Sequence, residues 1–559
     1  MPHMRGYLSG KRTERYSLSQ SPLGDFLFLA NEEIMQAFEE IVGKIDDFVW
    51  GIPLIVLILG VGIYLSVRLI FLQTHKLPRA FRYMFKKEEG EGEVSSFGAL
   101  CTALSATIGT GNIVGVATAL VIGGPGALLW MWLAAFVGMA TKYAEGLLAV
   151  KYRKVYPDGR TLGGPFYYIE NGLGKKWKFL AVIFAVFGMC VGLFGIGTFS
   201  QVNSITDAVG NIFDGISPTV VLFGTEYSVA VIVAGVLLTV AVALVLLGGV
   251  KRIAKVSEMV VPFMVILYVI VCLTILFANV TAIPGAVADI VVGAFVPRAV
   301  TGGAVGSFFV AMQSGIARGI FSNEAGLGSA PIAAAAAKTK EPVRQGLVSM
   351  TGTFLDTIVV CTMTGLAIVI TGAWNVGLDG VDVTIRAFSE GLPGVLGTAG
   401  PVLLMVCLIF FAFTTILGWN FYGERCLEYV AGRRMWAIYA YRVAYILAVF
   451  IGPYMTVAVV WDIADVFNGL MAIPNLVALV LLSGVVIRET KSYFRRFPTM
   501  RGEEEALALE AAGEASARLL EGDPPPKEAE GDFPPPAEQA GALFEEPSTG
   551  EGGGPPDGG

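Results

Sequence analysis

Ser96-Phe97-GALCTALSATIGTGNIVGVATA, residues 96–119, and Ser307-Phe308-FVAMQSGIARGIFSNEAGLGSA, residues 307–330, read as two copies of one segment. A gapless shift of 211 residues aligns Ser96 with Ser307, Phe97 with Phe308, Ala106 with Ala317, Asn112 with Asn323, Gly115 with Gly326 and Ala119 with Ala330. Each copy is an apolar run interrupted by glycine and polar residues. A helix broken at mid-membrane exposes amides and carbonyls, which is tolerated only where they line a cavity or hold a ligand. Gly109 and Gly111 lower the steric cost of unwinding the first copy. The amides from Thr110 to Ile113 would open an outer half-helix and face an anion such as a carboxylate, and the carbonyls from Ala103 to Thr107 would face a cation. In the second copy, carbonyls from Gly315 to Gly319 could take an ammonium, with Ser322 and Asn323 as oxygen-bearing side chains at the break. A zwitterion with adjacent amine and carboxylate suits that pair. The competing reading, glycines as close-packing contacts between helices, is the better one for a single motif. Two motifs at equivalent positions of a repeat favour a site.

Working outward, each copy opens a block of five apolar runs. Eleven spans are expected, at 47–72, 94–122, 125–150, 178–207, 227–248, 255–279, 303–337, 344–371, 398–424, 435–452 and 454–487, the last broken at Pro474. The composition agrees: 54% of 559 residues are hydrophobic, 15% are charged, and mean hydropathy is +0.67. Soluble domains carry about 25% charged residues. A soluble enzyme, a secreted disulfide scaffold and a nucleic-acid binder are thereby excluded. Lys and Arg number 26 in the alternate loops 73–93, 151–178, 249–255, 338–344, 425–434 and 488–501, against Arg298 and Arg386 in the intervening ones. That bias places the first set in the cytoplasm, the amino terminus outside and the carboxyl terminus inside. The second and seventh spans then run in opposite directions. Two five-helix halves of opposite orientation, each opened by a Gly-interrupted helix, mark an inverted-repeat secondary transporter.

Three regions follow. Residues 1–46 form an extracytoplasmic amino-terminal segment, with a short amphipathic helix expected at 31–46. Residues 47–488 form the transmembrane domain, with repeats 94–279 and 303–487. Residues 489–559 form a cytoplasmic tail. Its stretch 501–559 holds 15 acidic and 3 basic residues with two PPP runs, a composition that cannot bury a core and reads as disordered. The six cysteines lie in or at the ends of apolar runs, no two as CxxC, and read as small buried side chains. His3 and His75 lie outside the long apolar runs, which excludes a histidine-built metal site in the membrane. No cofactor is expected. Ionisable residues at membrane depth are functional candidates by default; here they are Lys142, Glu145, Glu258, Arg318, Glu324, Asp356, Asp462 and Asp465. Lys142 and Glu145 share a helix face. Arg318 and Glu324 flank the second break and could gate it with Asp462 or Asp465.

The segments GTGNIVGVATAL (109–120), GGPGALLWMW (123–132), GMATKYAE (138–145), ARGIFSNEAGLGSAPIAAA (317–335) and FFAFTTILGWNFYGER (410–425) resemble the alanine or glycine:cation symporter family. This is the sodium:alanine symporter group of the amino acid–polyamine–organocation superfamily. The resemblance covers about 45–490, and DDFVWGIPLIVLILGVGIYLSVRL (46–69) is similar to the family's extra first helix. It implies an all-α, leucine-transporter-like fold of five plus five helices after that extra helix, in the cell (inner) membrane. It implies sodium-coupled uptake of alanine or glycine, with Na+ as coupling ion. By matching motifs, the substrate carboxylate would meet Thr110, Gly111 and Asn112. The unwound stretch Gly319 to Ser322, with Phe321, would meet the amine, and Gln201, Thr415 and Trp419 would complete a small pocket. One sodium would take the Ser105 and Ile108 carbonyls and the Thr414 and Thr415 hydroxyls. A second would take the Thr107 carbonyl, Asn112, the substrate carboxylate and Asp356. From sequence alone, hydroxyls of Thr414 and Thr415 bonding back to their own helix are as good a reading. Two alternatives stay open: a proton-coupled carrier or exchanger of the same fold, with Asp356 as the titrating group, and a membrane sensor or channel with a signalling tail. Oligomeric state is not legible.

Overall fold

The computed structural model describes residues 37–506, apart from 38–39, 47, 87–89, 214, 223–224, 296–302, 433, 455–456 and 504–505. Most of the amphipathic segment expected at 31–46, the tail beyond 506 and Arg298 therefore fall outside the described residues. The side chains of 303–307 and 457–462, Asp462 included, do so too.

Apolar runs fold into helices because, without water, every backbone amide must bond within its own segment. The first is α1 (Ile52–Arg68). The first broken segment gives α2 (Ser96–Thr107) and α3 (Val114–Gly123), which follow one another at 63°. Then come α4 (Ala127–Lys151), α5 (Lys178–Phe194), α6 (Phe199–Phe213), α7 (Val229–Leu246), α8 (Gly249–Ala278) and α9 (Ile283–Phe295). The second half opens with α10 (Gly303–Asn323) and the short α11 (Ala330–Ala334). It continues with α12 (Pro342–Thr371), α13 (Val381–Gly391), α14 (Val395–Ala431), α15 (Met435–Ile451) and α16 (Val457–Arg496). Two small antiparallel hairpins sit between helices. β1 (Lys154–Val155) pairs with β2 (Thr161–Leu162), and β3 (Thr219–Leu222) with β4 (Thr225–Ser228).

Among the described residues, eight helices are long and apolar enough to cross a membrane, nine when the bent pair is taken as one. The expected spans 47–72 and 303–337 fall on α1, of 17 residues, and on α10, which lie outside that set. The expected break at Pro474 is not there: α16 runs through it for 40 residues. A proline inside an intramembrane helix is tolerated where neighbouring groups take over the freed carbonyl. Burial sorts the helices. In the most apolar stretch of α4, 83% is buried, against 22% in α7. Leu237 and Leu244 of α7 are more than half exposed, as befits a surface facing hydrocarbon. So α4 is the central post against which the broken spans pack. Around it lies a core of Val116, Leu120, Leu128, Met131, Ile290, Ile368 and Val383.

The structure divides into two units, 1–493 and 494–559. In the second, the described residues are the last residues of α16 and a turn in which Thr499 Oγ1 accepts from the Gly502 amide (3.1 Å).

Candidate functional site

The first break separates α2 from α3. Ser95 Oγ accepts from the Gly98 amide (2.9 Å) and starts α2, which ends at Thr107. Ile108 and Gly109 are extended, and Thr110–Asn112 make one tight 3-10 turn before α3. The exposed amides are taken by side chains: Gly109 N–H donates to Asn112 Oδ1 (2.9 Å), and Thr110 N–H to Gln201 Oε1 (3.3 Å) on α6. Thr415 of α14 donates to the free Ile108 carbonyl (3.3 Å) and to its own Phe411 carbonyl (3.0 Å). Gly109 has to be glycine. A Cβ there would stand 2.4 Å from Thr415 Oγ1 and 3.1 Å from Gln201 Oε1. Gly111 faces the other broken span, and its Cβ would lie 3.2 Å from Ser322 Cα and 3.3 Å from Phe321.

Asp356 joins the two broken spans. Its Oδ1 accepts from Asn112 Nδ2 (2.7 Å), and its Oδ2 accepts from Ser322 Oγ (2.9 Å) and Thr357 Oγ1 (2.7 Å). Asp356, Asn112 and Ser322 are fully or almost fully buried. Asp356 lies in a π-helical stretch of α12, Phe354–Cys361, where the extra residue per turn re-aims side chains. Cys361 Sγ lies 3.3 Å from both Asn112 Nδ2 and Ser322 Oγ. Neither Thr357 nor Cys361 was a sequence candidate, because nothing in an apolar run announces a π-helical stretch.

The second break differs from the expectation. α10 is helical through Asn323, so Gly319, Phe321 and Ser322 stand on a helix and are not unwound. The unwound stretch is Glu324–Ser329, with Glu324, Gly326 and Gly328 at positive φ (55°, 92° and 83°). Gly315 and Gly319 are packing glycines. A Cβ on Gly315 would meet the Ala127 carbonyl at 2.2 Å, and one on Gly319 would meet Met131 Cα at 3.3 Å, both on α4. The loop is tied by Asn475 of α16. Asn475 Nδ2 donates to Gly326 O (2.9 Å) and Glu145 Oε1 (2.7 Å), and its Oδ1 accepts from Tyr168.

The remaining candidates sort clearly. Trp419 is fully buried and stacks edge-on with Tyr422 at 5.4 Å. It packs at the junction of α5 and α6, where a Cβ on Gly197 would stand 2.6 Å from its own. The Thr414 hydroxyl is turned away from the break, onto the Phe410 and Phe411 carbonyls (3.1 and 3.0 Å) and Met264 Sδ (3.4 Å). Ser105 and Thr107 hydroxyls bond back within α2. The end of α2 does lie against α14: a Cβ on Gly418 would be 2.7 Å from Ala106 N. Arg318 pairs with Asp465 (3.2 Å). At the opposite end of the broken spans, Glu93 pairs with Arg425 (2.7 Å), Arg425 with Glu428 (3.0 Å) and Glu428 with Arg160 (3.1 Å). Arg153 caps the carbonyls of Ala335 (3.0 Å) and Ala337 (2.6 Å) after α11.

Residues 35–506 match the model of the sodium:alanine symporter family. The chain belongs to that family. It is 48% identical over 465 residues to the sodium/alanine symporter AgcS of Methanococcus maripaludis, covering 82% of this chain and 97% of that one. It is 38% identical over 466 residues to a probable sodium/glutamine symporter, GlnT, of Bacillus subtilis, covering 83% and 92%. The crystal structure of MhsT in complex with L-phenylalanine superposes with a TM-score of 0.49 at 14% identity, over 71% of this chain and 98% of that one. This member of the sodium:alanine symporter family is thus a multi-pass membrane transporter and not an enzyme.

Proposed function

We propose that the protein imports small neutral amino acids, alanine first and glycine second, by sodium-coupled symport with alternating access. The observation that carries this is the buried Asp356 carboxylate, which bonds to residues of both broken spans at once. Na+ is a hard cation that wants several oxygens, and Asp356, Asn112 and the Thr107 carbonyl are the oxygens of one site. The Ile108 carbonyl and Thr415 hydroxyl, already 3.3 Å apart, belong to a second, with Ser105 and Thr414 as its further candidates. The substrate carboxylate would displace Gln201 and Asn112 from the amides of Gly109 and Thr110. The ammonium would lie toward the Ser322 end of α10. Trp419, Phe321 and the close approach of Gly111 to Ser322 would restrict the pocket to a small side chain. The Arg318–Asp465 pair and the Glu93–Arg425–Glu428–Arg160 network close opposite ends of the path, and alternating access opens one while the other holds. The loop charges put the first pair outside and the network in the cytoplasm.

The test is alanine uptake into proteoliposomes with an inward sodium gradient, or with choline in its place. The expected result is sodium-dependent uptake competed by glycine and not by leucine. Uptake indifferent to sodium and driven by a proton gradient would overturn the coupling and make Asp356 the proton carrier.

A further inference from the structure

Elsewhere among the described residues, several deeply buried ionic groups pair directly: Arg318 with Asp465, Arg425 with Glu93 and Glu428, Arg442 with Glu424. Lys142 does not. It is 3% exposed at the centre of α4, and its Nζ has no hydrogen-bond partner. Three buried carboxylates act on it electrostatically, those of Glu145, Glu324 and Asp356. Glu145 is held by Asn475 and Glu324 by Ser329. α4 lies flush on the second break one turn away: a Cβ on Gly138 would be 2.8 Å from Ala325 Cβ and 4.0 Å from Asn323 Oδ1. Lys142 also lines a small cavity with Thr107, Asn323 and Gln345, on the side of the first break where a sodium ion is proposed.

A lysine buried at this depth without a direct partner is costly unless the field around it is negative. One ammonium among three carboxylates meets that condition. The same field would also bind a cation. A sodium ion held by Asp356 and a substrate carboxylate faces two negative charges, and a fixed positive charge nearby lowers its affinity. We propose that Lys142 is a positioning residue of the coupling-ion site: its ammonium, beside the cavity it lines with Thr107 and Asn323, weakens sodium binding and keeps the ion exchangeable. This rests on the sodium reading given above. Lys142 does not touch the ion; it acts through the charge it adds to the cluster.

The test is Na+-dependent thermal stabilisation of the purified full-length protein, titrated with NaCl against choline chloride at constant ionic strength. Lys142→Met should lower the half-saturating Na+ concentration about five-fold, and Lys142→Arg should leave it near wild type. Lys142→Met combined with Glu145→Gln removes one charge of each sign and should return it to wild type. Glu145→Gln alone, which keeps Lys142, should raise it, and serves as the independent test should Lys142→Met fail to fold. A lysine needed only for packing would reduce stability in Lys142→Met without tightening Na+, and charge balancing would restore nothing. Unchanged or weaker Na+ binding in Lys142→Met, or unchanged binding in Glu145→Gln, overturns the proposal. Absence of Na+ stabilisation in the wild-type protein overturns the sodium reading, and this inference with it.

Discussion

The two breaks come from related sequences and are built differently. The first is short and closed by side chains: Gln201 and Thr415 from other helices and Asn112 of the break itself occupy its amides and carbonyl, and glycine is required because Thr415 and Gln201 stand so near. The second is a six-residue loop with three residues at positive φ, and its ties run to α4 and α16 rather than to the site. Only the end of α10 before it, Ser322 and Asn323, faces Asp356 and Thr357. Repetition of sequence therefore does not mean repetition of role. On the function proposed above, the first break offers its backbone to ligands. The second presents side chains and keeps its loop as a joint between helices.

That contrast is open to breakage. The largest effect is expected from Gly109→Ala, whose methyl would occupy the space of Thr415 Oγ1: transport should fall about a hundred-fold with little change in the amount of folded protein. Gly328→Ala should do the reverse. At φ +83° and 2.8 Å from Asn475 Cγ, it should cost about 2–3 kcal/mol of stability, read as lower yield and melting temperature, while protein that folds retains its apparent alanine affinity. Next is Thr415→Val, expected to raise the sodium requirement about ten-fold by removing the hydroxyl on the Ile108 carbonyl. Thr414→Val should change it less than about two-fold, because that hydroxyl already bonds its own helix and faces Met264. Equal effects of the two threonine variants would place both in one ion site.

Much of this was legible because membrane spans announce themselves in composition, and because a glycine pair beside Asn112 in an apolar run has few uses. The first break lies where GTGN stands. The second was misplaced by about one helical turn. Gly315 and Gly319 look as permissive as Gly326 and Gly328, and only their neighbours show that the former serve close packing on α4 while the latter turn the chain. The same limit hid Asn475, which ties Glu145 to Gly326 from 149 residues away. Arg318 had two acidic candidates in one stretch of sequence; the structure pairs it with Asp465, and the Asp462 side chain lies outside the described residues. Pro474 reads as a breaker, yet α16 passes through it because its surroundings are protein and lipid rather than water.

The central claim is that Asp356 makes the two broken spans one cation site. It is tested most directly by sodium-gradient-driven alanine uptake into proteoliposomes of Asp356→Asn protein, which keeps the size and most hydrogen bonds of the side chain and loses its charge. The account predicts loss of sodium-driven uptake together with loss of Na+-dependent thermal stabilisation. Uptake at the wild-type rate with an unchanged sodium requirement would contradict it.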